Sequence, residues 1–309
     1  MPQAVRNAVA TGYFHPGYAE ALSEFGTPVE LPHCKGWFLR RSIPGTPDAD
    51  GMGCYPYFVC EDWSKLRSDL DALGHDLVAF SAAPDPFGRY TTADLQRAFP
   101  DRLIHFKEHY VADLTQPLAK IVSRHHRRYA SKARQLVDVE FHTEPVALLD
   151  RWMALFEVTV RKFRLGGIRA FSIASFARQL ALPGCVMAVA RHQGEIVAAH
   201  LYMVSGEVAH AHLAATANEA AHQTGAAYAM YSSGINYFAG KVRWIDWGGD
   251  AGLAKDGTLS AFKRGWSTGT RPAYFCGRIF DAERYARIAA AKAATASGYF
   301  PAYRAGELC

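Results

Sequence analysis

Residues 246–272, DWGGDAGLAKDGTLSAFKRGWSTGTRP, gather the side chains of this sequence best suited to chemistry. An extended run ends at Trp247, and Gly248-Gly249 follows, where glycine permits close approach or an unusual backbone. Phe262-Lys263-Arg264-Gly265-Trp266 then sets cations and aromatics together in a glycine-rich loop, the kind of strand-end segment where binding groups concentrate. A lysine here can neutralise a developing oxyanion or hold a phosphate. The plainer reading is a surface lysine between buried aromatics.

Two other segments offer anion sites. His222-Gln223-Thr224-Gly225-Ala226-Ala227 precedes and opens a helix, and small residues there let backbone N–H groups approach a pyrophosphate at a positive helix end. A tightly packed helix start needs the same residues. The stretch 114–137 holds six Lys/Arg and no acid. Lys120, Arg124, Arg128 and Lys132 recur every four residues, with Arg127 and Arg134 beside them and Ile121, Tyr129, Ala133 and Leu136 as an inward stripe. Like charges at that spacing repel, so solvent, distant acids or a phosphate ligand must offset the cost. His210 and His212 share one strand face, and either can take a proton from an attacking amine. His200 lies in the same region, with Tyr202 and Asp246 as lesser candidates. Neither a Ser-His-Asp arrangement nor a zinc-ligand spacing is present, and no metal is expected.

These residues need elements to position them. Trp37–Arg41 and Tyr57–Cys60 read as extended, 42–56 as a long Gly/Pro/Asp-rich loop, 62–73 as a helix capped by Asp62, and 77–82 as a strand. A short helix over 92–99 and a strand over 103–111 follow. A single helix from 117 to 136 and a strand over 137–142 close the first half, and Glu144-Pro145 marks the boundary between residues 1–143 and 144–309. An amphipathic helix opens the second half with Leu148, Leu149, Trp152, Phe156, Val160 and Phe163 at helical spacing. Strands 186–191, 196–204 and 208–215 form an antiparallel meander. A helix over 225–239, strands over 242–247 and 273–279 and an Ala-rich helix over 282–296 complete the chain.

Hairpins inside an alternating pattern predict an α/β chain with a mixed sheet rather than a doubly wound parallel one. The dinucleotide-binding and P-loop fingerprints are absent. The 309 residues are half hydrophobic and carry a formal charge of +5, ample for a sizeable core and weakly favourable to phosphate-bearing ligands. Without a signal-peptide core or an apolar run of about 18 residues, the expectation is a cytoplasmic protein with no membrane span. The six scattered cysteines, Cys34, Cys54, Cys60, Cys185, Cys276 and Cys309, read as thiols of a reducing compartment.

The order strand, hairpin, strand, glycine-bearing loop, helix, strand resembles the core of the GNAT acyltransferases. His222–Ala227 resembles their cofactor signature Arg/Gln-x-x-Gly-x-Gly/Ala: Gly225 and Ala227 match, while His222 departs from it. Trp247-Gly248-Gly249, then Leu259 and Phe262-Lys263-Arg264-Gly265-Trp266, resemble the ending of the Fem-type peptidoglycan-bridge aminoacyltransferases. The basic segment RHHRRYASKAR at 124–134, followed by a strand, is similar to theirs too. The resemblance spans roughly residues 75–280, and the helical-hairpin arm of some members has no counterpart. It implies two GNAT-like halves, each a mixed sheet flanked by helices, with the second half catalytic and the first structural or acceptor-binding. It further implies an N-acyltransferase in which an amine attacks the donor directly. Phe262 and Lys263 would border the centre, with His210 or His212 as base. His222, Gln223, Thr224, Gly225, Ala226 and Ala227 would hold acyl-CoA, and Arg124, Arg128, Lys132, Arg264, Trp247, Gly248 and Gly249 would contact phosphate or substrate. Aminoacyl-tRNA is the alternative donor, and the acceptor is a small-molecule or cell-wall-precursor amine. A non-catalytic ligand-binding module on the same fold is the reading from a different class.

Overall fold

The computed structural model describes residues 10–249, 257–292 and 298–307; residues 250–256, the part of the expected 282–296 helix beyond 292, and Cys309 lie outside them. Eleven strands form one mixed sheet: β1 (Thr27–Leu31), β2 (Gly36–Ser42), β3 (Ala49–Gly53), β4 (Ala79–Ala82), β5 (Arg102–Asp113), β6 (Asp138–His142), β7 (Cys185–His192), β8 (Glu195–Ser205), β9 (Val208–Thr216), β10 (Trp244–Asp246) and β11 (Gly269–Ile279). Their spatial order is β1-β2-β3-β4-β11-β5-β10-β9-β8-β7-β6. The helices are α1 (Pro16–Ala21), α2 (Leu66–Ala72), α3 (Thr92–Ala98), α4 (Leu118–Ile121), α5 (Arg124–Ala133), α6 (Leu149–Phe163), α7 (Ile173–Leu180), α8 (Glu219–Gln223), α9 (Ala226–Phe238), α10 (Thr258–Arg264) and α11 (Ala282–Ala291).

The α/β mixed-sheet expectation holds, and the meander β7-β8-β9 has the antiparallel pairing read from its alternation. The sheet runs without a break past position 143. β6 pairs with β7, and β11 lies between β4 and β5. Helices cover the sheet in three groups. α1, α6 and α7 bury Tyr18, Trp152, Phe156 and Phe176 on one face. On the other, α5 and α9 bury Ala130, Ala133, Ala226, Ala229 and Phe238. α2 and α3 cover Phe38, Phe58 and Phe80 of the first half. Rows of small residues where α5 meets α9 let the two helix backbones approach closely. Burying such apolar surface contributes about 25 cal/mol per Å².

Several local expectations need correction. The loop 42–56 contains β3, whose ADGMG sequence has poor strand propensity. Its glycines serve close packing instead: a Cβ on Gly51 would lie 2.5 Å from the Phe80 ring. Tyr57–Cys60 contributes only a bridge from Phe58 to Pro84, and the helix expected from Asp62 begins at Leu66. The single helix 117–136 is two helices. Val122 is extended, and Ser123 restarts the helix by accepting a hydrogen bond from the His126 N–H at 3.2 Å, a serine's usual role at a helix start. Lys120 therefore leaves the row formed by Arg124, Arg128 and Lys132. The inward stripe also shifts: His126, Ala130 and Ala133 are buried, whereas Tyr129 and Leu136 are exposed. The five described cysteines are buried free thiols.

Candidate active site

β10 is three residues long, and its last residue, Asp246, stands opposite Val111 of β5 on one side and His210 of β9 on the other. Side chains two apart on a strand share a face, so this register brings His109 and His210 to either side of Asp246. All three are almost wholly buried. His109 Nδ1 lies 2.9 and 3.1 Å from the two carboxylate oxygens, and the Gly248 N–H donates to the same carboxylate at 2.8 Å. Burial alone would raise the Asp246 carboxyl, but the charge and hydrogen bonds of His109 and His210 outweigh it and hold it far below the usual carboxylate range. An ionised carboxylate only accepts, so Nδ1 of His109 carries the proton. Its Nε2 is buried without a hydrogen-bond partner among the described residues.

His210 is differently placed. Its Nδ1 lies 3.4 Å from Asp246 and its Nε2 3.7 Å from Asp85, charge contacts rather than well-aligned hydrogen bonds. Burial would lower its pKa, yet the two carboxylates prevail and raise it. His210 is thus biased toward the imidazolium, a counter-ion between two acids. His212 is occupied at both nitrogens: Tyr13 Oη lies 2.9 Å from Nδ1 and Gln179 Oε1 3.0 Å from Nε2. Burial first, then the charges of His200 and His210, push its pKa down to about 3. His109 combines a hydrogen-bonded carboxylate on Nδ1 with an Nε2 that has no hydrogen-bond partner among the described residues.

His109 lines a cavity of about 330 Å³ whose wall also includes Lys107, Trp247, Gly248, Gly249 and Lys263. Lys263 projects from α10, is 8% exposed, and donates from Nζ to the Gly249 carbonyl at 2.6 Å. Gly248 has φ +73°, where a side chain is strained, and a Cβ at Gly249 would lie 2.7 Å from the Lys107 side chain. These two glycines bring the strand end against both lysines. The next residue along α10, Phe262, faces away and packs its ring 5.5 Å from His126, 5.1 Å from Tyr228 and 5.0 Å from Tyr231. Trp247 stacks on Tyr231 at 4.3 Å and donates from its indole N–H to the Trp266 carbonyl. The structure thus brings Lys263, Trp247, Gly248 and Gly249 together and adds His109 and Lys107, while Phe262 supports α10 from behind.

The remaining candidates lie elsewhere. Gly225, at φ +74°, begins α9, and the first-turn N–H groups of Ala226 and Ala227 have no helical carbonyl to bond. Thr224 donates to the Ala221 carbonyl, Gln223 is exposed, and His222 lines a separate cavity with Lys162 and Asn218. α5 crosses the start of α9, and Ala133 would lie 3.1 Å from a Cβ on Gly225. Arg124, Arg128 and Lys132 point to solvent on α5, and Arg264 is exposed on α10. Tyr202 is fully buried, its ring packed against Phe238 at 4.9 Å. Among the described residues, no group of three or more His, Cys, Asp or Glu is placed to hold a metal, and no helix is long and apolar enough to cross a membrane.

Sequence reading passed over His109 and Lys107. Both sit in HFKEHY, a mostly polar run of β5 that pairs with β11 along one edge and leads into the residues paired with β10. Buried polar positions in an interior strand are themselves a signal, although the partner of His109 lies 137 residues away.

Residues 121–264 match the family profile of an acetyltransferase (GNAT) domain. The chain superposes on a crystal structure of FemX with a TM-score of 0.65 at 15% identity, covering 89% of this chain and 93% of that one. The C-terminal domain (DUF2156) of what is described as a lysylphosphatidylglycerol synthetase from Agrobacterium fabrum gives 0.57 at 14%, covering 89% and 90%. L-PGS from Bacillus licheniformis gives 0.57 at 14%, covering 88% and 94%. No curated protein matches the chain by sequence. Residues 121–264 are therefore similar to a GNAT acetyltransferase domain, and the chain as a whole has the fold seen in FemX and in the lysylphosphatidylglycerol synthetase domain.

Proposed function

We propose that this protein is an N-acyltransferase that moves an acyl group from a phosphate-bearing donor to an amine in the cavity of His109 and Lys263. The observation that carries the reading is the Asp246–His109 pair, with Nε2 of His109 unengaged, in the wall that also holds Lys263. A neutral amine attacks the donor carbonyl; the carbon–nitrogen bond forms as the bond to the donor's sulfur or oxygen breaks. Nε2 takes the proton released by the amine, Asp246 fixes the tautomer and stabilises the imidazolium, and the Lys263 ammonium stabilises the oxyanion. No covalent enzyme intermediate is required. The second half, 144–309, supplies Lys263 and Asp246, and the first half, 1–143, supplies His109.

For the donor, acyl-CoA is the leading reading, supported by the start of α9, where small residues and first-turn N–H groups suit a pyrophosphate. One observation favours aminoacyl-tRNA instead. Arg124, Arg127, Arg128, Lys132 and Arg134 form no ion pair among the described residues, a denser cationic surface than one pyrophosphate needs. The likeness to a domain described as a lysylphosphatidylglycerol synthetase supports aminoacyl transfer in the same sense. The deciding experiment measures binding of coenzyme A and of charged tRNA, then single-turnover transfer to a panel of amines. His109→Gln is expected to lose transfer while keeping donor affinity. Binding of neither donor, or transfer undiminished in His109→Gln, would sink the proposal.

A further inference from the structure

The same cavity reaches well beyond the reacting groups. Its wall crosses the sheet from β9 to β2, where Arg41 enters, and the C-terminal segment closes it with Phe300, Arg304 and Glu307. Charge on this wall is lopsided: Arg41, Arg304, Lys107 and Lys263 are cations, and Glu307 is the acid among the lining residues. Behind the wall, wholly buried Asp50 takes both faces of Arg304, at 2.8 and 3.0 Å, and the Nε of Arg41 at 3.2 Å. Arg304 also donates to the Ser42 carbonyl at 2.9 Å. Arg304 is therefore committed to the fold. Arg41 is committed on one side only: its outer nitrogen donates to the Glu307 carboxylate at 2.8 Å, and that carboxylate is about a third exposed.

Resting on the acyl-transfer reading above, we infer that the acceptor is an amine bearing a carboxylate, and that this carboxylate binds Arg41 by displacing Glu307. The planar fork of a guanidinium suits a carboxylate in two-point contact. Glu307 occupies that position through one oxygen, which accepts from Arg41 at 2.8 Å and lies 3.6 Å from Arg304, as a stand-in on a partly exposed side chain. Asp50 neutralises one of the two arginines, so removal of Glu307 leaves one net positive charge for the incoming carboxylate. The span also limits the acceptor. β2 and β5 are four strand steps apart, roughly 19 Å at about 4.8 Å per step. Arginine and histidine side chains bridge part of this distance, and an acceptor that separates its amine from its carboxylate by several bonds, as ω-amino acids and short peptides do, spans the remainder better than an α-amino acid.

The test measures binding of 6-aminohexanoate, 6-aminohexanamide and glycine by calorimetry, independently of turnover. 6-Aminohexanoate is expected to bind at least tenfold more tightly than its amide and than glycine. Glu307→Gln should tighten 6-aminohexanoate several-fold and leave the amide unchanged, and Arg41→Gln should abolish the preference for the carboxylate. Equal affinity for carboxylate and amide, or no binding of 6-aminohexanoate to either native protein or Glu307→Gln, would overturn the inference. Because Arg41 is buried, the exposed Glu307 variant decides the matter where Arg41→Gln fails to fold. Transfer to amines with no carboxylate preference would leave the acyltransferase reading standing, whereas carboxylate-selective binding without transfer would remove that reading and leave the site.

Discussion

Acidification should destabilise this protein in a way traceable to one side chain. His200 of β8 is 3% exposed, its ring 4.4 Å from that of Tyr202 and 5.7 Å from that of Tyr231. Burial first, and the Lys263 ammonium second, push its pKa down to about 3. In the unfolded chain a histidine titrates near 6.5. Between these two values the unfolded chain binds a proton that the folded one refuses, so stability falls as pH falls. From pH 7.5 to 5.0 the loss is about 1.4 kcal/mol for each unit below 6.5, or about 2 kcal/mol for His200. His212, also held at about 3, and His126, lowered by burial and by His125, add to the loss. His210 acts in the opposite sense, because its pKa is raised. Its contribution is complete below 6.5 and is lost as pH rises through its folded value. Asp246, whose pKa is lowered, holds its contribution throughout this range. These background terms are common to native protein and His200→Phe, which keeps an aromatic ring among aromatics. Urea unfolding of both proteins across the range should show the native protein losing about 2 kcal/mol more than the variant. Equal losses would refute the argument, whatever fixed offset the phenylalanine brings.

Lys263→Met should reduce that acid-side loss only slightly, since burial is the larger cause of the His200 shift; unfolding over the same pH range tests this. His109→Gln should lower kcat/KM by about 10²- to 10⁴-fold, the usual share of a positioned base, and Asp246→Asn should cost a similar factor by turning the proton of His109 to Nε2. Reversing Arg128 and Lys132 to glutamate should weaken donor binding and flatten its dependence on salt, most steeply if the donor is tRNA; titrations at two or more salt concentrations would show it. Gly265→Ala should destabilise by about 1–3 kcal/mol, a usual overpacking cost, because its Cβ would lie 2.1–2.4 Å from the His126 ring; denaturant midpoints measure the loss.

The elements that formed by short-range pattern were legible. The meander β7–β9 arose where expected, and α6 buries Trp152 and Phe156 of its expected stripe, while Phe163 at its end is exposed and Leu155 is buried instead. β3 escaped because its ADGMG sequence makes a strand only when β2 and β4 pair with it from either side. The break at Val122-Ser123 escaped because a four-residue charge period continues straight through it, while the capping serine acts locally. At the site, Lys263 and Gly248-Gly249 were readable as one contiguous segment that folds back on itself. The pairing of His109 with Asp246 was not, since it depends on strand register and not on any local spacing.

That register also explains why three neighbouring histidines differ in character. Asp246 carries one negative charge between two imidazoles, and the environment beyond each imidazole decides its state. His210 has a second carboxylate, Asp85, on its far side, so its positive charge is held between two negative ones. His109 has no such second acid; it faces the cavity that contains Lys107 and Lys263. His212, two residues along β9 from His210, is held neutral by burial first and by the charges of His200 and His210, while Tyr13 and Gln179 lie within hydrogen-bond reach of its two nitrogens. One carboxylate at the end of a three-residue strand thus meets a histidine from each neighbouring strand: His210 of β9, held between two acids, and His109 of β5, the base of the proposed reaction.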